Sequence, residues 1–279
     1  MSDLQCLGIF RELAHSPGRE FDDAEILRLT GKHLEERGFQ VSLREPDEVG
    51  AMDDQPPAFI FLMCELPGIL SLLHRYEERG VLQVNSPVAV LNTYRDRMVP
   101  LIERAEIPFP PSVFVSTEGA DPHVSGPVWV KRADVHNTQE GDVVFAPTTT
   151  AAHGALRNLA KRGIPRGVIQ EHVPGDLIKF YGVGDPGRLP GHQPWFQWFY
   201  HKDQDLVGYP FDPKTLATFV QQAAAVVGLE VYGGDAIATK EGAVILIDLN
   251  AWPSFALYRD EASARIASYL EARFTRGSV

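Results

Sequence analysis

The chain has 279 residues, 44% of them apolar, and a formal net charge of −11. That content suffices for a large core or for two or three small α/β lobes. The acidic balance argues against nucleic acid or an anionic membrane as the main partner, while leaving room for a local basic pocket that holds phosphates. Cys6 and Cys64 stand far apart in apolar surroundings and read as core residues rather than as a disulfide or a metal site. The first ten residues carry no basic leader pattern, and no apolar run reaches the roughly 18–20 residues of a spanning helix. The expectation is a soluble cytoplasmic protein, with self-association left open.

The first ninety residues alternate between strand and helix patterns. Gln5–Phe10 is an apolar strand, Arg11–Arg19 a Gly/Pro-containing loop, and Asp22–Arg37 a helix closed by Gly38. Gln40–Leu43 and Ala58–Cys64 are strands, Gly68–Arg79 is a helix closed by Gly80, and Leu82–Asn85 is a fourth strand. This alternation implies a small parallel sheet. No G-x-G-x-x-G follows the first strand, so a dinucleotide fingerprint is missing.

Pro87–Arg104 begins as a loop, becomes a helix and ends at Ile107-Pro108-Phe109-Pro110-Pro111. Pro127–Arg132 is a strand finishing in two cations, Lys131 and Arg132. The following ADVHNTQEGDVVFAP folds back into a strand at Val143–Ala146, so that a polar hairpin tip could close over phosphates. Thr148–Arg162 is a helix with a threonine cap, and Gly167–Val173 is a strand running into Pro174-Gly175-Asp176. In the strand Leu177–Val183, Lys179 points away from its apolar neighbours, and a cation there calls for an anion. Trp195–Tyr200 is an aromatic strand that reads as core rather than as a base-stacking platform. Asp212–Val227 is an amphipathic helix with Pro213 in its first turn and Gly228 as its stop.

The most informative stretch is Val231–Phe255, VYGGDAIATKEGAVILIDLNAWPSF. It reads as two apolar strands, Val231–Thr239 and Ala243–Leu249, joined by the turn Lys240-Glu241-Gly242. Asp248 and Asn250 are two apart and share a face of an extended chain, and Asp235 on the other strand is placed to face them. Three converging oxygen donors suit a hard cation such as magnesium, and the competing reading is a hairpin whose acids are merely solvated. Asp260–Phe274 closes the chain as a helix with apolar residues every fourth position.

The run Ala223–Phe255 resembles the C-terminal signature of the ATP-grasp superfamily: a helix ending in Gly-Leu, a strand with Asp, a hairpin, then acid-x-Asn-x-x-Pro. It is similar both to the ribosomal-protein glutamate ligase and glutathione synthetase-like ligases and to the ATP-grasp inositol phosphate kinases. The commonest acid before the Asn is Glu, and the kinases carry Asp, as Asp248 does here. The resemblance implies an α/β protein with an N-terminal Rossmann-like parallel domain (1–90), a central lobe with a bridging helix (91–170) and a C-terminal lobe carrying the metal site (171–279), the two α+β lobes clamping ATP. It further implies phosphate contacts from Lys131, Lys179 and Arg97, where many relatives carry Lys. The hinge Gln170, Glu171, His172 and Val173 would read the adenine edge through its backbone, and Asp176 would take the ribose hydroxyls. Magnesium, or manganese, would sit on Asp235, Asp248 and Asn250. His136, five residues after Lys131, and Lys179 resemble the kinase branch, and Arg259 is a candidate cation on the acceptor side.

Phosphoryl transfer asks mainly for positioning and charge neutralisation. No Ser-His-Asp or Cys-His arrangement is evident, and neither Cys-x-x-Cys nor His-Glu-x-x-His zinc spacing occurs. Three classes follow: an ATP-dependent ligase joining a small-molecule or peptide carboxylate to an amine or thiol through an acyl phosphate, favoured by analogy with the superfamily; a small-molecule kinase; and a nucleotide-binding module without catalysis.

Overall fold

The computed structural model describes residues 4–51, 57–119, 124–135 and 138–276, and within these it contains three four-stranded sheets. The first is parallel, in the order β2-β1-β3-β4, from β1 (Gln5–Ile9), β2 (Gln40–Arg44), β3 (Phe59–Leu62) and β4 (Leu82–Val84). Its helices are α1 (Glu20–Glu35) and α2 (Pro67–Glu78), the latter started by a proline whose missing N–H costs nothing in the first turn. The bridging segment breaks into α3 (Pro87–Leu91), capped by Ser86, and α4 (Arg95–Arg104).

The second sheet is antiparallel, in the order β5-β8-β6-β7, from β5 (Ser112–Ser116), β6 (Val128–Arg132), β7 (Val143–Ala146) and β8 (Arg166–Glu171). Strand β5 is an addition to the sequence reading. It lies at the sheet edge with no buried residue, and its apolar run is only the three residues Val113–Val115. Helix α5 (Thr149–Lys161) packs Ala152, Leu156 and Leu159 against Val128, Val130 and Ile169 of this sheet, giving the central lobe a core of its own.

The third sheet, also antiparallel, runs β10-β9-β11-β12, from β9 (Asp176–Val183), β10 (Trp195–Tyr200), β11 (Val231–Ala238) and β12 (Val244–Ala251). Helix α6 (Pro213–Val227) is capped by Asp212, which accepts from the N–H groups of Lys214 and Thr215, and stops at Gly228 in the left-handed region at φ 94°. It buries Leu216, Val220 and Val227 in a core that also holds Ile178 and Phe180 of β9 and Ile9 and Leu62 of the parallel sheet. The last helix, α7 (Arg259–Arg276), returns to the N-terminal domain, where Phe274 stacks on Phe59 at 4.4 Å between ring centres. The N-terminal domain and the third sheet are thus fused through shared cores, against which the central lobe is a separate packing unit. No helix among the described residues is long and apolar enough to cross a membrane.

Candidate nucleotide and metal site

Lys179, Asp235 and Asp248 occupy one cross-strand row of the third sheet, Lys179 opposite Asp235 and Asp235 opposite Asp248. The Lys179 ammonium donates to Asp235 Oδ1 at 2.7 Å. Asn250 lies in the next row, opposite Gly233. A β-bulge sets this face. Asp235 pairs with Asp248 but Ala236 pairs with Leu246, so Ile247 is the extra residue of β12. The bulge lets Leu246 and Leu249, an odd number apart, both enter the core while Asp248 and Asn250 stay half-buried. Strict alternation without it would send one of the two leucines to the acidic face.

The glycines beside Asp235 are fixed by contact. A Cβ on Gly234 would lie 2.3 Å from the Asp248 carbonyl oxygen and 2.6 Å from Phe180 Cζ, and one on Gly233 would lie 2.6 Å from Pro253 Cγ. Both positions exclude any side chain as the strands stand.

Two cations reach this row from outside the third sheet. Lys131, 5% exposed at the end of β6, donates to the Ile247 carbonyl at 3.3 Å. The bulge therefore supplies the acceptor on which the central lobe's lysine rests. Burial pushes the Lys131 ammonium down to about 8, with Arg95 acting the same way and Asp248 and Asp235 opposing. Arg95, the first residue of α4, is 3% exposed and donates through Nη2 to Asp248 Oδ2 at 3.1 Å. Its Nη1 donates to the carbonyls of Arg132 and Val135, each at 3.2 Å, at the base of the polar hairpin. The sequence reading favoured Arg97, which the structure leaves exposed on the same helix. Arg95, which that reading did not single out, is the arginine of this helix that reaches the row.

The polar hairpin is held by Asp142, fully buried, which accepts from the Thr138 N–H at 2.7 Å, the Thr138 hydroxyl at 2.9 Å and the Gln139 N–H at 3.2 Å, and pairs with Arg132 and Arg162. Although burial opposes it, these donors bring its carboxyl down to about 2. His136 lies outside the described residues.

At the hinge, the Glu171 N–H donates to Pro111 O at 2.9 Å and the His172 N–H to Pro127 O at 3.1 Å. In an antiparallel ladder each such pair returns a second bond from the opposite N–H. Pro111 and Pro127 have no N–H to return, so the ladder supplies neither the Glu171 nor the His172 carbonyl with a donor. Beside them Gln170 is buried, with its amide 3.5 Å from Ser112 Oγ. Trp129 donates its indole N–H to His172 Nδ1 at 3.2 Å, which requires His172 to carry its proton on Nε2 when neutral. Phe145, 5.2 Å from Trp129 and 5.1 Å from His172 between ring centres, completes an aromatic cluster that the sequence reading did not anticipate.

Two expected residues are engaged elsewhere. Asp176 is 1% exposed, and its oxygens accept the N–H groups of Val207, Gly208 and Tyr209 at 2.7–2.8 Å, which hold its carboxyl below the usual range against the cost of burial. It ties down a loop and is buried rather than presented to a ligand. Arg259 pairs with Asp22 of α1, so it fastens α7 to the N-terminal domain. The exit of β12 is approached instead by Arg11, which donates to the carbonyls of Ala251 at 2.9 Å and Trp252 at 2.8 Å, and by Arg19, which donates to Ser254 Oγ at 3.3 Å.

The donors on β11 and β12 are two carboxylates and an amide, all hard oxygens. Among the described residues no three His, Cys, Asp or Glu side chains converge to form a self-sufficient metal cage. That set fits magnesium, which binds one or two carboxylates and takes its other positions from water and phosphate oxygens.

No protein-family model and no curated protein matches the sequence. Solved structures do match the fold. D-alanyl-alanine synthetase A from Vibrio cholerae aligns at a TM-score of 0.71 and 15% identity, over 99% of each chain. A RimK domain ATP-grasp protein from Sphaerobacter thermophilus aligns at 0.69 and 15% identity, over 95% of this chain and 99% of the other. The ATP-grasp ligase PsnB, solved with its precursor peptide PsnA2 and AMPPNP, aligns at 0.65 and 16% identity over 98% of each. Essentially the whole chain aligns with these proteins, and what it possesses is the ATP-grasp fold.

Proposed function

We propose that this protein is an ATP- and magnesium-dependent ligase that joins a carboxylate to an amine through an acyl phosphate. The observation that carries the proposal is the meeting of the Lys179–Asp235–Asp248 row with Lys131 of β6 and Arg95 of α4, both from outside the third sheet. Three cations around two carboxylates and an amide is the arrangement that a metal-bound polyphosphate needs. The fold likeness to ligases of almost equal length favours ligation over other uses of ATP.

In this reading the carbonyl of Glu171 accepts from the exocyclic amine of adenine, and the Trp129–Phe145–His172 cluster faces the base. Lys131, Lys179 and Arg95 hold phosphate oxygens and balance the charge that grows on the transferred group. Asp235, Asp248 and Asn250 would hold magnesium, which would supply positive charge to offset that of the phosphates. The acceptor's carboxylate oxygen attacks the terminal phosphorus and the bond to ADP breaks. An amine then attacks the acyl carbon, phosphate leaves with the C–O electrons, and the amine proton passes to water.

The test is incubation with ATP, magnesium, candidate carboxylates and hydroxylamine. A ligase yields a hydroxamate and free phosphate in equal amounts. Label that moves from ATP to the acceptor and stays there would replace the reading with a kinase. The absence of any adenine-nucleotide binding by calorimetry would remove both.

A further inference from the structure

We infer that Arg95 is a built-in counter-ion for Asp248 that denies the metal site to a free divalent cation and yields it only to a metal–polyphosphate complex. The inference rests on the ATP-grasp reading and concerns the order in which that site fills.

The pair Arg95–Asp248 is nearly dry, with side-chain exposures of 4% and 16%. It is also incomplete as a guanidinium–carboxylate contact. One nitrogen, Nη2, reaches one oxygen at 3.1 Å, where a fork-to-fork pair would use two. Nη1 is spent on the Arg132 and Val135 carbonyls, and Nε is buried without a hydrogen-bond partner. A buried donor left empty costs free energy that an incoming acceptor recovers. An anionic oxygen that takes over Arg95 removes this guanidinium from Asp248 Oδ2 and fills Nε as well.

Charge points the same way. Arg95 and Lys179 each contact one of the two carboxylates, and Lys131 stands against the backbone of β12 between them. The site is therefore already cation-rich before any metal enters. A divalent ion arriving alone would meet three positive groups at short range among partly buried side chains, where Coulomb repulsion is weakly screened. Arriving with a polyphosphate, it brings more negative charge than it adds positive. Arg95 is the decisive member because its Nη2 is in direct contact with the Asp248 carboxylate, a proposed metal ligand.

The probe is Mn2+, followed by electron paramagnetic resonance of the free ion, titrated into the intact protein with and without a non-hydrolysable ATP analogue. Wild type is expected to take up Mn2+ only when the analogue is present. Arg95→Gln is expected to bind Mn2+ without the analogue at least about tenfold more tightly than wild type, and to bind the analogue more weakly. Arg95→Lys, which keeps the charge, should stay close to wild type for Mn2+ alone. The inference is overturned if wild type binds Mn2+ alone as tightly as with the analogue, a measurement that needs no variant. It is equally overturned if folded Arg95→Gln matches wild type for Mn2+ alone. Failure of wild type to bind the Mn2+–analogue complex at all is a separate outcome, and it would remove the ATP-grasp function itself.

Discussion

Lys131 Nζ lies 3.3 Å from the carbonyl oxygen of Ile247, the residue that β12 carries in excess at its bulge. The two belong to different sheets, so the bond closes one lobe on the other at the candidate site. A lysine in this position is charged at a cost. Burial brings its ammonium from an ordinary 10.5 to about 8. Below about pH 8 both folded and unfolded chains are protonated here and the fold bears the desolvated charge. Between about 8 and 10.5 the unfolded chain binds the extra proton, so this group makes stability rise with pH across that window.

Nucleotide binding should reverse that shift, because phosphate oxygens favour the ammonium. At pH 9 the wild-type protein is expected to take up a fraction of a proton when it binds an ATP analogue. Calorimetry in buffers of different ionisation enthalpy measures this directly as a dependence of the apparent enthalpy on buffer. Lys131→Met should bind more weakly and lose the buffer dependence. A dependence that persists in the variant would assign the proton elsewhere.

Asp142 offers a test confined to the central lobe. It gathers Thr138, Gln139, Arg132 and Arg162 around one buried carboxylate. Replacing it by Asn leaves the two arginines without their buried counter-charge, and the expected loss is about 3 kcal/mol in urea unfolding. Its carboxyl is depressed from 3.8 to about 2, so its contribution is fully present above about pH 4 and disappears as the pH falls toward 2. Wild-type stability should therefore drop more steeply over that range than that of Asp142→Asn. Parallel curves would show that the group is not the anchor its contacts describe.

How much of this was readable in the residues follows from how local each signal is. The β11–β12 hairpin was legible because turn chemistry, apolar strands and the D-x-N spacing lie within twenty-five residues. The row Asp235–Asp248 follows from pairing alone. The bulge at Ile247 was not legible, since it depends on which leucines the core accepts. Nor was the choice of Arg95 over Arg97. Two cations at i and i+2 on a helix point to different sides, and only the seat of α4 between the lobes selects the inward one. Asp176 misled for a related reason: its donors come from Val207–Tyr209, some thirty residues on, and nothing around Asp176 announces their return.

The Glu171 carbonyl makes a prediction about a proline that lies outside the phosphate site. If Pro111 leaves the Glu171 carbonyl open for a base, Pro111→Ala restores an N–H that closes the ladder and competes for that oxygen. One hydrogen bond of about 1 kcal/mol should weaken ATP-analogue binding by about fivefold with little change in melting temperature. Affinity that rises or stays constant would place base recognition away from that carbonyl.

Gly234 and Gly154 separate a steric requirement from a mere preference for glycine. A Cβ on Gly154, in α5, meets nothing within 4 Å, so Gly154→Ala should stabilise the helix by about 0.5–1 kcal/mol. On Gly234 the same atom would sit 2.3 Å from the Asp248 carbonyl, which is backbone and cannot swing aside. The strands must part there, and the row that sets Asp235 against Asp248 parts with them. The expected cost is about 1–3 kcal/mol in thermal or urea unfolding. The more telling readout is Mn2+ uptake in the presence of an ATP analogue, which should fall well out of proportion to the stability lost. Retention of wild-type uptake in a folded Gly234→Ala protein would mean that the metal does not depend on the spacing of β11 and β12 at this row.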